Sequence, residues 1–276
     1  MTIQEALQRA MASLPGDSPK LDAEVLLGFV LGQSRTYLYT WPERELSATQ
    51  QSLLEELVAR RASGTPVAYL VGEREFWSLP LQVNEHTLIP RPETELLVEQ
   101  ALARLPRSGR ALDLGTGTGA IALALVSERP DAEIWAVDAS REALKVARAN
   151  VERLGLPVQL VHSDWFAQVS GQRFHLIVSN PPYIAEADPH LGQGDVRFEP
   201  LTALASGRDG LADIRQIVAR APAHLHPGGW LLFEHGYDQG APVRELLTQA
   251  GFSSVETVQD YGGNDRVTLG QWEHHD

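Results

Sequence analysis

An α/β architecture follows from three features of the 276 residues: seven strands in a mostly parallel sheet, behind a small helical leader. From Arg110 onward, short apolar runs alternate with helical-period segments, as in strands joined by crossover helices. A turn rich in glycine, Gly115-Thr116-Gly117-Thr118-Gly119, follows the first of those runs. The first sixty or so residues instead carry helical periodicity without strand-like alternation.

Taken in order, Thr2 and Glu5 form a capping box ahead of Ile3, Leu7, Ala10, Met11 and Leu14 on one helical face. Pro15-Gly16 ends that helix. Ser18-Pro19 starts a second, expected to turn Leu21, Val25, Leu26, Phe29 and Val30 inward until Gly32 closes it. A short piece lies near 35–39, and Ser47 with Gln50 caps a helix carrying Leu53, Leu54, Leu57 and Val58. Gly64-Thr65-Pro66 breaks this pattern. Residues 67–71, 75–77 and 81–83 then look extended, with a turn at Leu79-Pro80, a β-hairpin. Helix resumes from Pro92 to about Leu105. Strands are expected at 110–114, 133–138, 157–162, 174–179, 229–234, 252–258 and 266–271, with helices at 119–129, 140–154, 209–223 and 239–250. The expected organisation is a helical domain over 1–63, a hairpin linker over 64–90 and a Rossmann-like domain over 91–276.

Composition sets limits. A hydrophobic fraction of 43% with 21% charged residues is that of a globular chain with a large core. A formal charge of −13 argues against a surface that tracks phosphates, which needs clustered Lys and Arg; direct DNA binding is therefore not expected. With no cysteine there are no disulfides, thiolate metal sites or Cys nucleophiles. No basic stretch precedes an apolar one at the N-terminus, and no apolar run reaches spanning length, so a cytoplasmic protein without membrane attachment is expected. His224 and His226 are read as exposed loop residues and His274-His275 as tail. Neither pair has partners at ligand spacing, and no metal is expected.

The glycine turn suits a nucleotide-like ligand. Glycines let the backbone turn sharply and approach a ligand closely. Asp138 ends the next strand nineteen residues after Gly119, where a carboxylate can bind ribose hydroxyls. A dinucleotide loop normally reads Gly-x-Gly-x-x-Gly, placing a helix N-terminus at a pyrophosphate. Here the spacing is Gly-x-Gly-x-Gly, led by Asp113, which could attract an ammonium group directly or through water. That pattern favours S-adenosylmethionine, which has no phosphate. After the third strand, Asp164 could meet the exocyclic amine of adenine and Trp165 its face.

After the fourth strand comes Asn180-Pro181-Pro182-Tyr183. An amide nitrogen is a poor nucleophile because its lone pair is delocalised. Freeing that pair needs acceptors for both N–H protons: the side-chain carbonyl of Asn180 and the backbone carbonyl of Pro181. The prolines stiffen the loop, and Tyr183 offers a flat face. No strong base is required; positioning is the main contribution. The same tetrapeptide would also suit a flipped nucleic-acid base.

These motifs resemble the peptide chain release factor glutamine methyltransferases, the HemK-like family. The resemblance runs nearly full length and includes Thr87-Leu88-Ile89-Pro90-Arg91-Pro92-Glu93-Thr94-Glu95 and Arg197-Phe198-Glu199-Pro200. It implies a Rossmann-like methyltransferase domain that uses S-adenosylmethionine, yields S-adenosylhomocysteine, and modifies N5 of the glutamine in the Gly-Gly-Gln tripeptide of bacterial class I release factors. It also implies that the helical domain helps hold the release factor. Carried over by position, donor binding falls to Gly115–Gly119, Asp138, Trp165 and Asn180, and glutamine contact to Asn180, Pro181, Pro182 and Tyr183. Arg91 and Glu93 are further candidates for the wall of the site. A monomer is expected. The alternatives are a base N-methyltransferase of adenine-N6 type, a nicotinamide-dependent oxidoreductase and a non-catalytic binder of the cofactor.

Overall fold

The computed structural model describes residues 1–273, so the expectation for His274-His275 lies outside them. The chain divides into two compact units. One comprises Met1–Glu73 with Gly194–Phe198, the other Arg74–Gln193 with Glu199 onward.

In the first unit, α1 (Ile3–Ser13) begins at the expected Thr2–Glu5 capping box and α4 (Ala48–Ala62) at the reciprocal Ser47–Gln50 pair. Between them lie α2 (Pro19–Leu31) and α3 (Arg35–Thr40). Leu26, Leu27 and Ala23 fill the core with Ile3, Leu38 and Leu57. Leu21, Val25 and Phe29, expected inward, are exposed, as are Met11 and Leu53. The helix is apolar on nearly every side, so periodicity could not choose its buried face. Residues 67–71, expected extended, form the short helix α5 (Val67–Val71), which Pro66 starts and Gly72 ends in the left-handed region. A run of five apolar residues fits a strand or a helix equally well until its ends are fixed. Arg61 pairs with Asp22 and Asp195 at 2.7 Å each, tying Gly194–Phe198 to the helices.

A two-stranded hairpin, β1 (Glu73–Phe76) and β2 (Leu79–Gln82), starts at the boundary residue Glu73 and belongs otherwise to the second unit. Its turn is Trp77-Ser78, both at positive φ, and not Leu79-Pro80 as expected. Two successive left-handed residues match the twist of a tight hairpin. Pro92–Thr94 is a 3₁₀ turn ahead of α6 (Glu95–Leu102). The rest alternates: β3 (Arg110–Leu114), α7 (Ala120–Glu128), β4 (Glu133–Asp138), α8 (Arg141–Leu154), β5 (Gln159–His162), β6 (Phe174–Ser179), α9 (Ala212–Arg220), β7 (Leu225–Glu234), α10 (Gly240–Gln249), β8 (Ser253–Gln259) and β9 (Asp265–Trp272).

The seven strands run in the order β5-β4-β3-β6-β7-β9-β8, a Rossmann-like α/β sheet. All neighbours are parallel except β9, which lies antiparallel to β7 and β8. Alternate side chains enter two cores. Ala111, Ala136 and Val178 pack beneath α6 and α7, and Leu112, Val137 and Ile177 beneath α9 and α10. Winding reverses between β3 and β6, so their carboxyl ends border a crevice, the usual ligand position in such sheets. The glycine turn leaves one strand there and Asn180–Tyr183 the other.

His224, expected exposed, is buried with its ring stacked on Phe166 at 4.5 Å. His226 packs on His175. Both belong to the packing at the start of β7. Among the described residues no group of three or more His, Asp or Glu could hold a metal ion, and no helix is long and apolar enough to cross a membrane.

Candidate active site

A cleft of about 490 Å³ opens at the switch point. It is lined by Arg91, Gly115, Thr116, Gly117, Thr118, Asp138, Asp164, Trp165, Asn180 and Pro182. These ten were singled out from the sequence; other lining residues, among them His86, Thr94, Ser140, Thr202 and Asp213, were not. Asp113, Gly119, Pro181, Tyr183 and Glu93 do not line it.

The loop after β3 is shaped by left-handed glycines: φ is 72° at Gly115, 56° at Gly117 and 84° at Gly119. Their reasons differ. A Cβ at Gly115 would lie 3.4 Å from the Trp165 ring, one at Gly119 3.3 Å from Leu123, whereas one at Gly117 would meet nothing and project into open space. Asp113, fully buried, accepts a 2.6 Å hydrogen bond from the Thr116 hydroxyl. Its second oxygen has no well-formed bond, with only the Ala122 amide near enough to favour its charge. Burial pushes its pKa up to about 7, against the Thr116 bond. Asp113 thus holds the loop from beneath and does not reach the cleft surface. Asn150, also fully buried, does similar work from α8: it bonds the Thr118 carbonyl at 2.9 Å and both backbone groups of Gln82. No local pattern around Asn150 marks that role.

Asp138 accepts from the Gly117 amide at 2.9 Å and the Ser140 amide at 2.8 Å, one to each oxygen. Burial raises its pKa and the two amides oppose that. Each oxygen keeps a lone pair for a hydroxyl donor. Trp165 sits at φ 46°, a left-handed conformation that costs a bulky residue about 1–3 kcal/mol. Ser163 stabilises this turn, donating to the Trp165 carbonyl at 2.8 Å and accepting from the Gln168 amide. Asp164 is exposed at the rim.

On the other side, Ser179 donates to the Leu114 carbonyl at 2.8 Å and ties β6 to β3 just before Asn180. Asn180 directs Nδ2 to the Thr94 hydroxyl at 3.4 Å. Gln239 Nε2 donates to the Tyr183 carbonyl at 2.9 Å, and the Tyr183 hydroxyl faces Glu234 Oε1 at 3.4 Å. Burial, with the nearby Glu234 charge, holds the Tyr183 phenol above its ordinary pKa. Arg91 pairs with the buried carboxylate of Glu199, which also accepts from the Ile89 amide at 2.8 Å. Glu93 is exposed. Thr94 and Glu234 were not identified from the sequence; their buried position on two separate elements is visible only in three dimensions.

A chemically mixed cleft of this size accommodates a drug-sized ligand. Its polar groups suit a nucleoside: paired acceptors at Asp138, a flat ring at Trp165, an acceptor at Asp164 and a wall opened by Gly117.

Residues 5–72 match the model of the PrmC N-terminal domain and residues 92–194 that of the methyltransferase small domain. A release factor glutamine methyltransferase of Yersinia pestis is 58% identical over 275 residues, covering 99% of each chain. One from Escherichia coli K12 is 54% identical over 272 residues, covering 98% of this chain and 97% of that one. A methyltransferase from Pyrococcus furiosus shares the fold, with TM-score 0.55 and 19% identity over 71% of this chain and 90% of the other. Identity at this level across the whole of both sequences places the chain in the release factor glutamine methyltransferase family.

Proposed function

We propose that this chain transfers a methyl group from S-adenosylmethionine to N5 of the glutamine in the Gly-Gly-Gln tripeptide of bacterial class I release factors. One observation carries the reading: a nucleoside-shaped glycine turn and Asn180-Pro181-Pro182-Tyr183 meet at one switch-point crevice. The family relationship supports the same substrate.

When bound, the donor supplies an electrophilic methyl group and leaves as S-adenosylhomocysteine. Gly115–Gly119 and Asp138 hold its nucleoside, with Asp164 and Trp165 at the base. Asp113 acts through Thr116, keeping the loop in shape. Asn180 and Pro182 border the cleft, and Pro181 and Tyr183 belong to the same loop behind that border. There Asn180 Oδ1 and the Pro181 carbonyl take the two amide protons, and Tyr183 and Pro182 pack on the amide plane. Arg91, fixed by Glu199, forms the adjoining wall, with Glu93 outside it. Well-oriented groups of this kind supply on the order of 7–11 kcal/mol of a barrier without a strong base. The active species in this reading is a cytoplasmic monomer that uses neither metal nor DNA.

The test is transfer of labelled methyl to purified release factor, with mass spectrometry of the Gly-Gly-Gln peptide. One methyl on the glutamine is the expected result. Label entering nucleic acid instead would shift the assignment to base methylation. Asn180→Ala should retain donor binding with modest loss and nearly abolish turnover; turnover at the wild-type rate would remove Asn180 from its role.

A further inference from the structure

Glu234, the last residue of β7, is 1% exposed and lies behind the acceptor motif without lining the cleft. Its Oε1 receives the Tyr183 hydroxyl at 3.4 Å, and its Oε2 is buried without a well-formed hydrogen bond. The Thr94 hydroxyl is near enough to stabilise its charged form. Thr94 is itself 4% exposed and receives Asn180 Nδ2. The buried carboxyl is thus bonded to the Tyr183 hydroxyl at one end of Asn180–Tyr183 and lies beside Thr94, the partner of Asn180, at the other.

We propose that Glu234 is the positioning residue that sets the hydrogen-bond polarity of the acceptor site. A side-chain amide can present either its carbonyl or its NH₂ to a ligand, and the two ends are nearly the same size. Only one choice serves a substrate amide that must give up two N–H bonds. An ionised Glu234 can only accept, so Thr94 donates its single proton to it. The Thr94 oxygen is then left as an acceptor for Asn180 Nδ2, and Asn180 Oδ1 is turned to the substrate. The same carboxylate accepts the Tyr183 proton and keeps that ring fixed. A protonated Glu234 can instead donate to Thr94, and the hydroxyl then has its proton free to oppose Asn180 Nδ2.

Three charged or titratable groups face Glu234. Arg266 on β9, paired with Asp260, favours its charge; Glu93 opposes it; the Tyr183 phenol donates to it. Burial outweighs these and raises its pKa to about 7, so its protonation changes near neutral pH.

This inference rests on the glutamine-methylating reading, and the experiment separates the two. Methyl transfer to release factor is measured from pH 5.5 to 9 for the wild type, Glu234→Gln, Thr94→Val and Thr94→Ser, with donor binding measured alongside as the check of folding. The wild type should show an acid limb in kcat that Glu234→Gln lacks. Glu234→Gln and Thr94→Val should lower kcat between about ten- and a hundredfold, the range for small misplacements of reacting groups, with donor affinity within about threefold. Thr94→Ser should recover most of what Thr94→Val loses. A wild type that does not methylate the glutamine would refute the function itself. A wild type that does, beside a Glu234→Gln variant with the same kcat and the same acid limb, would overturn the positioning role. If Glu234→Gln does not fold, equal kcat in the two Thr94 variants overturns it just as well.

Discussion

Gly210 packs against the Tyr183 end of Asn180–Tyr183 from outside the cleft. It sits at φ +76°, and a Cβ there would fall 2.2 Å from the Tyr183 carbonyl oxygen, 2.8 Å from Gln239 Nε2 and 2.9 Å from the Tyr183 carbonyl carbon. All three are parts of one contact, the Gln239 bond that holds the Tyr183 backbone. In Gly210→Ala the Tyr183 peptide must retreat by more than about 1 Å to restore ordinary contact, since carbon atoms prefer separations near 3.5–4.0 Å. The left-handed backbone costs alanine about 1–2 kcal/mol and the overpacking about 1–3 kcal/mol more. A loss of roughly 2–5 kcal/mol in stability is expected, read as a fall in Tm of roughly 5–15 °C. The larger effect is on rate. Misplacement of the acceptor site by about 1 Å should lower kcat by about a hundredfold, with little change in donor affinity, because Gly210 and Gln239 do not line the cleft. The assay is release-factor methylation at saturating donor, with donor binding measured by calorimetry. Gly117→Ala gives the contrast. There a Cβ meets nothing within 4 Å, so the cost is backbone strain plus a methyl group in the donor's space, and the defect should appear in donor affinity. Gly210→Ala with wild-type kcat, or with its whole defect in donor affinity, would refute the reasoning.

Asp138→Ala should strand the Gly117 and Ser140 amides and remove the acceptors facing the cleft. Donor affinity should fall at least about tenfold, with roughly 1–3 kcal/mol lost from the fold; equal affinity by titration would exclude Asp138 from the donor site. Glu234 makes a prediction about stability with a definite sign. Its folded pKa is raised from 4.5 to about 7, so its contribution to stability is complete below about pH 4.5 and is lost as pH rises through about 7. Glu234→Gln escapes that loss, and the variant should gain on the wild type by up to about 3 kcal/mol between pH 4.5 and 8 in urea titrations. A difference that is flat with pH would show the carboxyl to titrate as an ordinary Glu. Replacing the acceptor glutamine of the release factor by glutamate should block methylation, because the acceptors would face an anion without N–H groups; methyl ester found by mass spectrometry would contradict the amide-gripping model.

The sequence by itself determined the sheet and the two motifs that meet at the cleft. Apolar runs marked its central strands, since these are buried on both faces and must be apolar nearly throughout. The two motifs were legible because both lie at strand ends, where a glycine turn or a proline-stiffened loop leaves a local signature. Elements without such punctuation were not legible. Val67–Val71 became a helix, and α2 buried Ala23 and Leu27 beside the expected Leu26, in place of Leu21, Val25 and Phe29, because an apolar segment offers several faces and its neighbours choose one. Tertiary structure alone brought Thr94, Asn150, Gly210 and Glu234 to the two motifs. Each acts across a large separation in the chain: Asn150 on Thr118 through α8, Thr94 and Glu234 on Asn180 and Tyr183 from the 3₁₀ turn before α6 and the end of β7, Gly210 on the Tyr183 carbonyl. It also decided that Asp113 faces Thr116 and not the cleft. A hydrogen bond or a steric limit between distant residues leaves no periodicity in the sequence, because it depends on where the sheet register places two side chains rather than on what stands beside either one.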